Sequence, residues 1–168
     1  MANSQSMCTS FKVELLNALH QFGSPTIVSR TSLTAPTADT IKALLVLASA
    51  SVSATQTNVG TPGTGSPTTS NVGTNEVSGS GYTAGGVAVT MGTAPTSSGT
   101  TAFITPSASI VYSSVTLSTS FDAVVLYNNT QTNRAISVHT FTAQTITAGT
   151  LTLTMPTNDA SNALIRLA

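Results

Sequence analysis

The pattern of apolar and polar positions is clearest at residues 121–128, where the apolar run AVVLY is bounded by polar residues. An unbroken apolar run of this length between turn residues is typical of a strand that is buried on both faces. The segments 108–117 and 135–141 alternate apolar and small polar residues, as strands do when one face is covered. We therefore predict that residues 121–128 form the middle strand of a sheet.

Turn signals around this strand predict where the chain reverses. Residues 128–133 contain several Asn, which tolerates left-handed backbone, so they should form a loop of hairpin size between antiparallel strands. Residues 118–120 predict a turn before the central strand, and residues 148–149 predict a break in the run 145–156. Each of these signals is expected to separate two short strands.

Alternation predicts which side chains of the flanking strands share a face. Successive side chains of a strand alternate between faces, so Ile110, Tyr112 and Ser114 should point one way. Val111, Val115 and Leu117 should largely point the other way. Further short strands are predicted at residues 87–91, 102–104 and 163–168.

One helix is predicted near the N-terminus, over residues 10–23, with Ser10 as its cap and Gly23 and Pro25 at its end. Its apolar residues recur at the helical period. This face has two interpretations: it packs on the sheet of the same chain, or it docks into a groove of a partner. The second interpretation makes partner-contact candidates of Phe11, Leu15, Leu19 and Phe22.

The region between the helix and residue 81 is predicted to be mostly irregular. Residues 26–30 fit a short strand, and residues 40–49 fit a short helix or a buried strand, of which the Ser/Thr-rich flanks favour the strand. Residues 50–81 are rich in Gly, Pro, Ser and Thr and indicate an exposed arm or a long flexible surface loop. Alternatively, this loop orders on a neighbouring subunit. The remaining partner-contact candidates are Asn58, Asn71 and Tyr82.

Together these elements predict a mainly β protein, an antiparallel β-sandwich of Ig-like or jelly-roll-like type with one N-terminal α-helix. Short alternating strands with turns between them and no interleaved helices are typical of this class. The expected organisation is an N-terminal segment, 1–31, followed by a β-sandwich domain, 32–168.

Composition changes the expected surface more than the expected fold. Charged residues make up 6% of the 168 residues, whereas 40% are hydrophobic and about a third are Ser or Thr. Disordered chains combine low hydrophobicity with high net charge, but here the formal net charge is zero, which indicates a folded protein with hydroxyl-rich faces. A neutral surface also favours a fixed assembly, so we expect a homo-oligomer.

Charge and targeting signals exclude several classes of partner. Five basic residues do not provide the positive surface that phosphate backbones require, so no nucleic-acid partner is expected. The N-terminal residues lack the basic and apolar regions of a signal peptide, and no apolar run is long enough to span a membrane. The single Cys8 excludes an internal disulfide, and we expect synthesis and assembly in a cytoplasm.

The sequence carries no catalytic or metal-binding signature. It has no nucleophile elbow, and His20 and His139 have no local nucleophile beside them in a recognised pattern. The carboxylates are isolated in sequence, and one Cys with two His gives no zinc pattern. The Gly-rich stretches are not followed by the Lys of a phosphate-binding loop. We therefore expect no enzyme activity, no cofactor and no bound metal.

Three stretches resemble small virion structural proteins of tailed bacteriophages, of the head decoration, cement or fibre type. These stretches are residues 40–47 followed by 75–87, then 120–128, then 147–159 with 165–168. The phrase GYTAGG at residues 81–86 is similar to a recurrent structural element of such proteins. The resemblance brings no active-site residues with it.

The resemblance implies a protein that is present in the virion in many copies and acts by contact. The leading hypothesis is a capsid decoration or cement protein that bridges shell subunits, with the major capsid protein or other virion proteins as partners. The alternative is a tail or head fibre component that binds a host-surface ligand through loops such as 58–80 or 128–133. Either role implies localisation in the virion, with assembly in the host bacterial cytoplasm.

Overall fold

The computed structural model of the chain describes residues 3–16, 20, 22, 37–68, 70–91 and 94–167. Within these residues the protein is mainly β, with one short helix, as predicted. In chain order the elements are β1 (Ser6–Met7), α1 (Thr9–Leu16), β2 (Ile41–Leu47), β3 (Val87–Ala88), β4 (Thr96–Ser98), β5 (Thr101–Ile104), β6 (Ile110–Asn128), β7 (Arg134–Leu153) and β8 (Ile165–Leu167).

The strands form two antiparallel sheets, one in the order β1-β7-β6-β2-β3 and a smaller one in the order β4-β5-β8. β6 is the middle strand of the larger sheet. Its residues 121–128 are buried except for the half-buried Asp122, because β2 and β7 flank the strand and the core packs on its faces. The predicted central strand is therefore confirmed.

β2 confirms the choice of a strand over a helix for residues 40–49. It runs antiparallel to β6, with Leu44 opposite Val125 and Val46 opposite Ala123. Ala43, Leu44, Leu45 and Val46 are all 0% exposed. The continuous apolar run of β2 reflects burial on both of its faces, which is why its periodicity alone does not distinguish it from a helix.

β6 and β7 are the two arms of one long hairpin. Asn128 pairs with Arg134 across the loop, and Thr132 and Asn133 hold the left-handed backbone, with φ of 56° and 59°. The predicted hairpin loop at residues 128–133 is therefore confirmed.

The predicted turn at residues 118–120 and the predicted break at residues 148–149 are wrong. Both lie inside continuous strands, at places where the pairing of β6 with β7 shifts register. Leu117 pairs with Ile146 and Phe121 pairs with Gln144, so residues 118–120 bulge out of β6. These small and polar residues mark β-bulges instead of chain reversals.

The predicted division of β6 into two faces is also wrong. Ile110, Tyr112, Val115 and Leu117 are all buried, none more than 3% exposed. A register shift falls between Tyr112 and Val115, and Ser114 within it has a positive φ of 54°. An extra residue in a strand reverses the alternation of its side chains, so both pairs point into the same core.

The bulges allow β6 to bend back over the sheet. A straight strand at about 3.3 Å per residue would separate Tyr112 from Leu126 by roughly 46 Å. Leu126 pairs with Ala43 of β2, yet the hydroxyl of Tyr112 donates a hydrogen bond of 2.9 Å to the carbonyl oxygen of Ala43. The distal half of the hairpin therefore returns to the middle of the larger sheet.

Residues 50–81 are irregular, as predicted, with a short 3-10 helix, Gly73–Asn75, among their described residues. An exposed arm does not describe this segment, however. The backbone N–H of Ala135 donates to the carbonyl of Thr57, and the N–H of Val77 donates to the carbonyl of Leu45, so the segment is attached to the sheet. Four of its valine side chains are at most 2% exposed: Val52, Val59, Val72 and Val77.

The helix starts one residue earlier than predicted, at Thr9. Ser10 therefore lies within the first turn and is not the cap, and its hydroxyl donates 3.3 Å to the carbonyl oxygen of Gln56. After Leu16 the structure describes only His20 and Phe22 of the predicted helix, and neither residue is helical, so the prediction is wrong at these two positions. The predicted strand 26–30 lies outside the described residues.

Candidate functional site

The apolar face of α1 packs on the larger sheet of its own chain, which was the first of the two interpretations. The backbone N–H of Cys8 donates to the carbonyl of Ile136 in β7, and that of Thr9 donates to the carbonyl of Ala54. Phe11 is 0% exposed and Leu15 is half-buried. Leu19 lies outside the described residues.

Phe11, His20 and Phe22 form an aromatic cluster. The His20 ring meets Phe11 edge-on, with 4.8 Å between centroids, and stacks on Phe22 at 6.1 Å. His20 Nδ1 accepts a hydrogen bond of 3.0 Å from the side-chain amide of Asn128, which is the last residue of β6 and is 0% exposed. The cluster therefore connects the N-terminal region to the end of the central strand.

An apolar groove with a volume of about 390 Å³ lies between this aromatic cluster and the smaller sheet. Its lining contains no charged residue: Phe11, Leu15, His20, Phe22, Ala94, Pro95, Ala102, Phe103, Ile104, Ile165 and Leu167. Leu167 is 44% exposed. The groove thus brings together three partner-contact candidates, Phe11, Leu15 and Phe22, and adds a second wall from β5 and β8. Chemically, it suits an uncharged apolar segment of a partner.

The two loops proposed for ligand binding meet at one end of the molecule. The N–H of Val59 donates to the carbonyl of Asn133, and the N–H of Thr57 donates to the carbonyl of Ser70. Asn58 uses its side-chain oxygen to accept a 2.7 Å bond from the N–H of Gly60. Asn58 and Asn71 are both half-buried, whereas Asn129 and Thr130 of the hairpin loop and residues 63–68 of the longer loop are exposed.

Tyr82 belongs to a polar group that we call the Glu76 cluster, made of the buried Glu76, Tyr112 and Tyr127 and the half-buried Lys42 and Tyr82. Glu76 Oε1 accepts 2.8 Å from the hydroxyl of Tyr82 and 2.6 Å from the backbone N–H of Gly85. The Tyr82 hydroxyl itself accepts from the N–H of Leu45, and the Tyr127 hydroxyl donates to the carbonyl of Gly85. Tyr82 stacks on Tyr112, with 5.9 Å between ring centroids.

Burial governs the acid–base properties of the Glu76 cluster. It raises the pKa of the Glu76 carboxyl above its ordinary value, against the opposing effects of the Tyr82 hydroxyl, the backbone amides of Gly85 and Gly63, and the charge of Lys42. Burial, followed by the charge of Glu76, raises the pKa of Tyr127 to about 12 and raises the pKa values of Tyr82 and Tyr112. These groups hold residues 76–85 against β2.

The glycines among residues 79–86 also allow this segment to lie close to the strands β2 and β6. A Cβ on Gly79 would overlap the carbonyl oxygen of Thr116 in β6, and a Cβ on Gly86, whose φ is +66°, would overlap the carbonyl oxygen of Ala43 in β2. Ser80 forms a bridge with Thr116 between these two glycines. The phrase at residues 81–86 therefore has a structural role, which sequence reasoning did not identify because the contacts of Glu76 and Tyr82 depend on the fold.

The other titratable groups offer no catalytic arrangement in the part of the chain that the structure describes. His139 is half-buried, its Nε2 lies 2.9 Å from the Ser137 hydroxyl, and burial lowers its pKa to about 4. Asp159 accepts bonds from Thr157, Ser161 and Asn162 within one turn before β8, and these bonds lower its pKa.

Within the described ranges, no group of three or more His, Cys, Asp and Glu side chains is placed to hold a metal ion. Nor does any described helix have the length and apolar character needed to cross a membrane. In comparisons with known proteins, no family model, no curated protein and no solved structure matches the chain.

Proposed function

We propose that this chain is a structural protein of a tailed-bacteriophage virion, most specifically a capsid decoration or cement protein that bridges shell subunits. Its partners are the major capsid protein and further copies of itself, and it resides in the virion after assembly in the host cytoplasm. The proposal rests on the resemblance of three sequence stretches to such proteins and on a neutral, hydroxyl-rich surface, which suits packing against other protein.

The observation that carries the proposal is the apolar groove between the aromatic cluster and the smaller sheet. An uncharged lining of this size, open at Leu167, suits an apolar segment of a shell subunit. Many copies on one particle would each need only a modest contact, because multivalency adds the contacts together. A copy that binds only the intact shell stabilises that shell.

We also propose that the two sheets form a sandwich, Ig-like or jelly-roll-like in architecture. The return of Tyr112 to Ala43 supports it, since this contact places the distal half of the hairpin over the larger sheet. A layered β architecture with apolar residues between the layers gives a rigid body with which to bridge subunits.

The test uses the two large hydrophobic side chains that are exposed among the described residues. Leu167 lines the groove and is 44% exposed, whereas Val111 lies on the hairpin away from the groove and is 41% exposed. Leu167→Glu should abolish binding of the purified protein to heads that lack it and should remove the gain in their disassembly temperature. Val111→Glu, the matched control, should bind and stabilise like the wild type. Equal binding by both variants, or heads that resist heat equally with and without the protein, would reject the proposal.

The alternative is a tail or head fibre component that binds a host-surface ligand. It is favoured by one observation: backbone hydrogen bonds join the loops 57–60, 70–71 and 129–133 to one another. Binding of the purified protein to host cells that is lost on Asn129→Ala and Thr130→Ala, but kept by Leu167→Glu, would support this role over the cement role.

A further inference from the structure

Among the described residues, the outer edge of β7 is left without a partner strand over most of its length. β1 pairs with β7 only at Ser137 and Val138, and from His139 to Leu153 no described strand pairs on that side. The outer edge of β6 in the same hairpin is contacted at Thr116, whose N–H donates 2.9 Å to the carbonyl of Ser80. An open edge presents backbone donors and acceptors that can pair with another strand.

The regular end of β7, residues 150–153, together with the following Thr154 is what we call the β7 edge segment, residues 150–154, with the sequence TLTLT. Leu151, Thr152 and Leu153 pair in unbroken register with β6, beyond the bulges. Thr150, Thr152 and Thr154 are exposed, whereas Leu151 is buried and Leu153 half-buried. Residues 135–155 contain no Lys, Arg, Asp, Glu or Pro, the residues with which proteins commonly prevent edge pairing.

We infer that the β7 edge segment pairs antiparallel with the same segment of a second copy, so that the chain forms a two-fold symmetric homodimer. The segment reads the same in both directions. In a pairing centred on Thr152, each Thr faces a Thr on the exposed side and each Leu faces a Leu on the buried side. Such self-complementarity is what a two-fold interface requires. Cross-strand Thr pairs are favourable, and no like charges meet.

This inference does not rest on the proposed virion role, because the dimer should form with purified protein alone. Sedimentation or light scattering should give the mass of two chains for the wild type. Thr152→Lys places two ammonium groups opposite each other at the two-fold axis and should give the mass of one chain. Thr152→Glu should do the same, while an equimolar mixture of the two variants should regain the mass of two chains.

Thr119→Lys is the matched control, since Thr119 is an exposed residue of β6 outside the edge, and it should remain a dimer. A cross-linking experiment tests the register. Thr152→Cys should form a disulfide-linked dimer under mild oxidation, because residue 152 faces its own copy. Thr150→Cys should not, since residue 150 faces residue 154 and the two copies of residue 150 lie about 13 Å apart along the strands.

A wild-type mass of one chain at all concentrations would overturn the inference. So would a Thr152→Lys variant that keeps the wild-type mass, or a mixture of the Lys and Glu variants that stays monomeric while both variants are folded by circular dichroism. Should the wild type form a larger oligomer, Thr152→Lys is expected to halve its mass, and an unchanged mass would again contradict the pairing.

Discussion

At the scale of single residues, Glu76 is the side chain with the most consequence for the fold. It is 4% exposed, and its Oε1 accepts from both the Tyr82 hydroxyl and the backbone N–H of Gly85. A buried N–H that loses its acceptor costs about 1–3 kcal/mol. Glu76 therefore stabilises the attachment of residues 76–85 to β2, even though burial disfavours its charged form.

Substitutions of Glu76 should separate these two effects. Glu76→Ala removes the acceptor and should lower the free energy of unfolding by about 1–3 kcal/mol, whereas Glu76→Gln keeps an acceptor oxygen and should lose less. Because the folded-state pKa of Glu76 is raised, its contribution is full below the unfolded pKa and is lost as pH rises through the folded pKa. Urea unfolding from pH 4 upward should therefore show Glu76→Gln gaining stability relative to the wild type. If the free energies of unfolding of the two proteins changed in parallel with pH, the raised pKa of Glu76 would be contradicted.

His139 should give the opposite dependence on pH. Its folded pKa is lowered to about 4 by burial, from an ordinary value of 6.5, so the unfolded chain binds the extra proton between these values. The free energy of unfolding should fall as pH drops through this window, by at most about 1.4 kcal/mol per pH unit. His139→Gln should reduce this dependence of the free energy of unfolding on pH. Urea unfolding of both proteins at several pH values should therefore give a smaller slope for the variant than for the wild type. An unchanged slope would mean that His139 titrates normally in the folded state.

At the scale of elements, the segment 50–81 contributes to the core although it has almost no regular structure. Val72 is 0% exposed, and deleting two methyl groups from a buried site costs about 2 kcal/mol. Val72→Ala should lower the free energy of unfolding by that amount in thermal or urea denaturation. Ser66→Ala, at an exposed position of the same segment, should change it by less than about 0.5 kcal/mol. A neutral Val72→Ala would show that the segment is not part of the folding unit.

Elements could be predicted from the sequence where the local pattern and the tertiary contacts agree. Residues 121–128 and β2 are apolar because they are buried on both faces, so their patterns predict strands directly. The bulges of β6 could not be predicted from the local pattern. They accompany the contact between Tyr112 and Ala43, and these two positions are far apart in sequence. Ser and Gly at a bulge resemble Ser and Gly at a turn, and only the partner strand distinguishes the two.

For the candidate site, only the wall of the groove that the N-terminal region contributes could be predicted from the sequence. The apolar period of the N-terminal region identifies Phe11, Leu15 and Phe22, but nothing in the sequence places Ile104, Ile165 and Leu167 opposite them. Partner contacts of Asn58, Asn71 and Tyr82 are predicted on the expectation that this part of the chain is exposed. Tyr82 is instead bonded within the Glu76 cluster, because burial of Val72 and Val77 brings its segment onto the sheet.

At the scale of the whole molecule, neutrality and contact surfaces support a role in an assembly. The chain combines zero formal net charge, an uncharged groove and an uncharged edge of β7 on which no described strand pairs beyond Val138. Groove and edge lie on different elements, the groove on α1, β5 and β8 and the edge on β7. A dimer formed through β7 would therefore still present two grooves, and such a bivalent body is suited to bridging two shell subunits.

The central claim is the role as a capsid decoration protein, and the most direct measurement is the number and position of its copies in the intact particle. Quantitative mass spectrometry of purified virions gives the copy number, and labelling with a specific antibody in electron micrographs gives the position. The account predicts many copies distributed over the head, in fixed ratio to the major capsid protein. A few copies confined to the tail or to one vertex, or none in the particle, would contradict it.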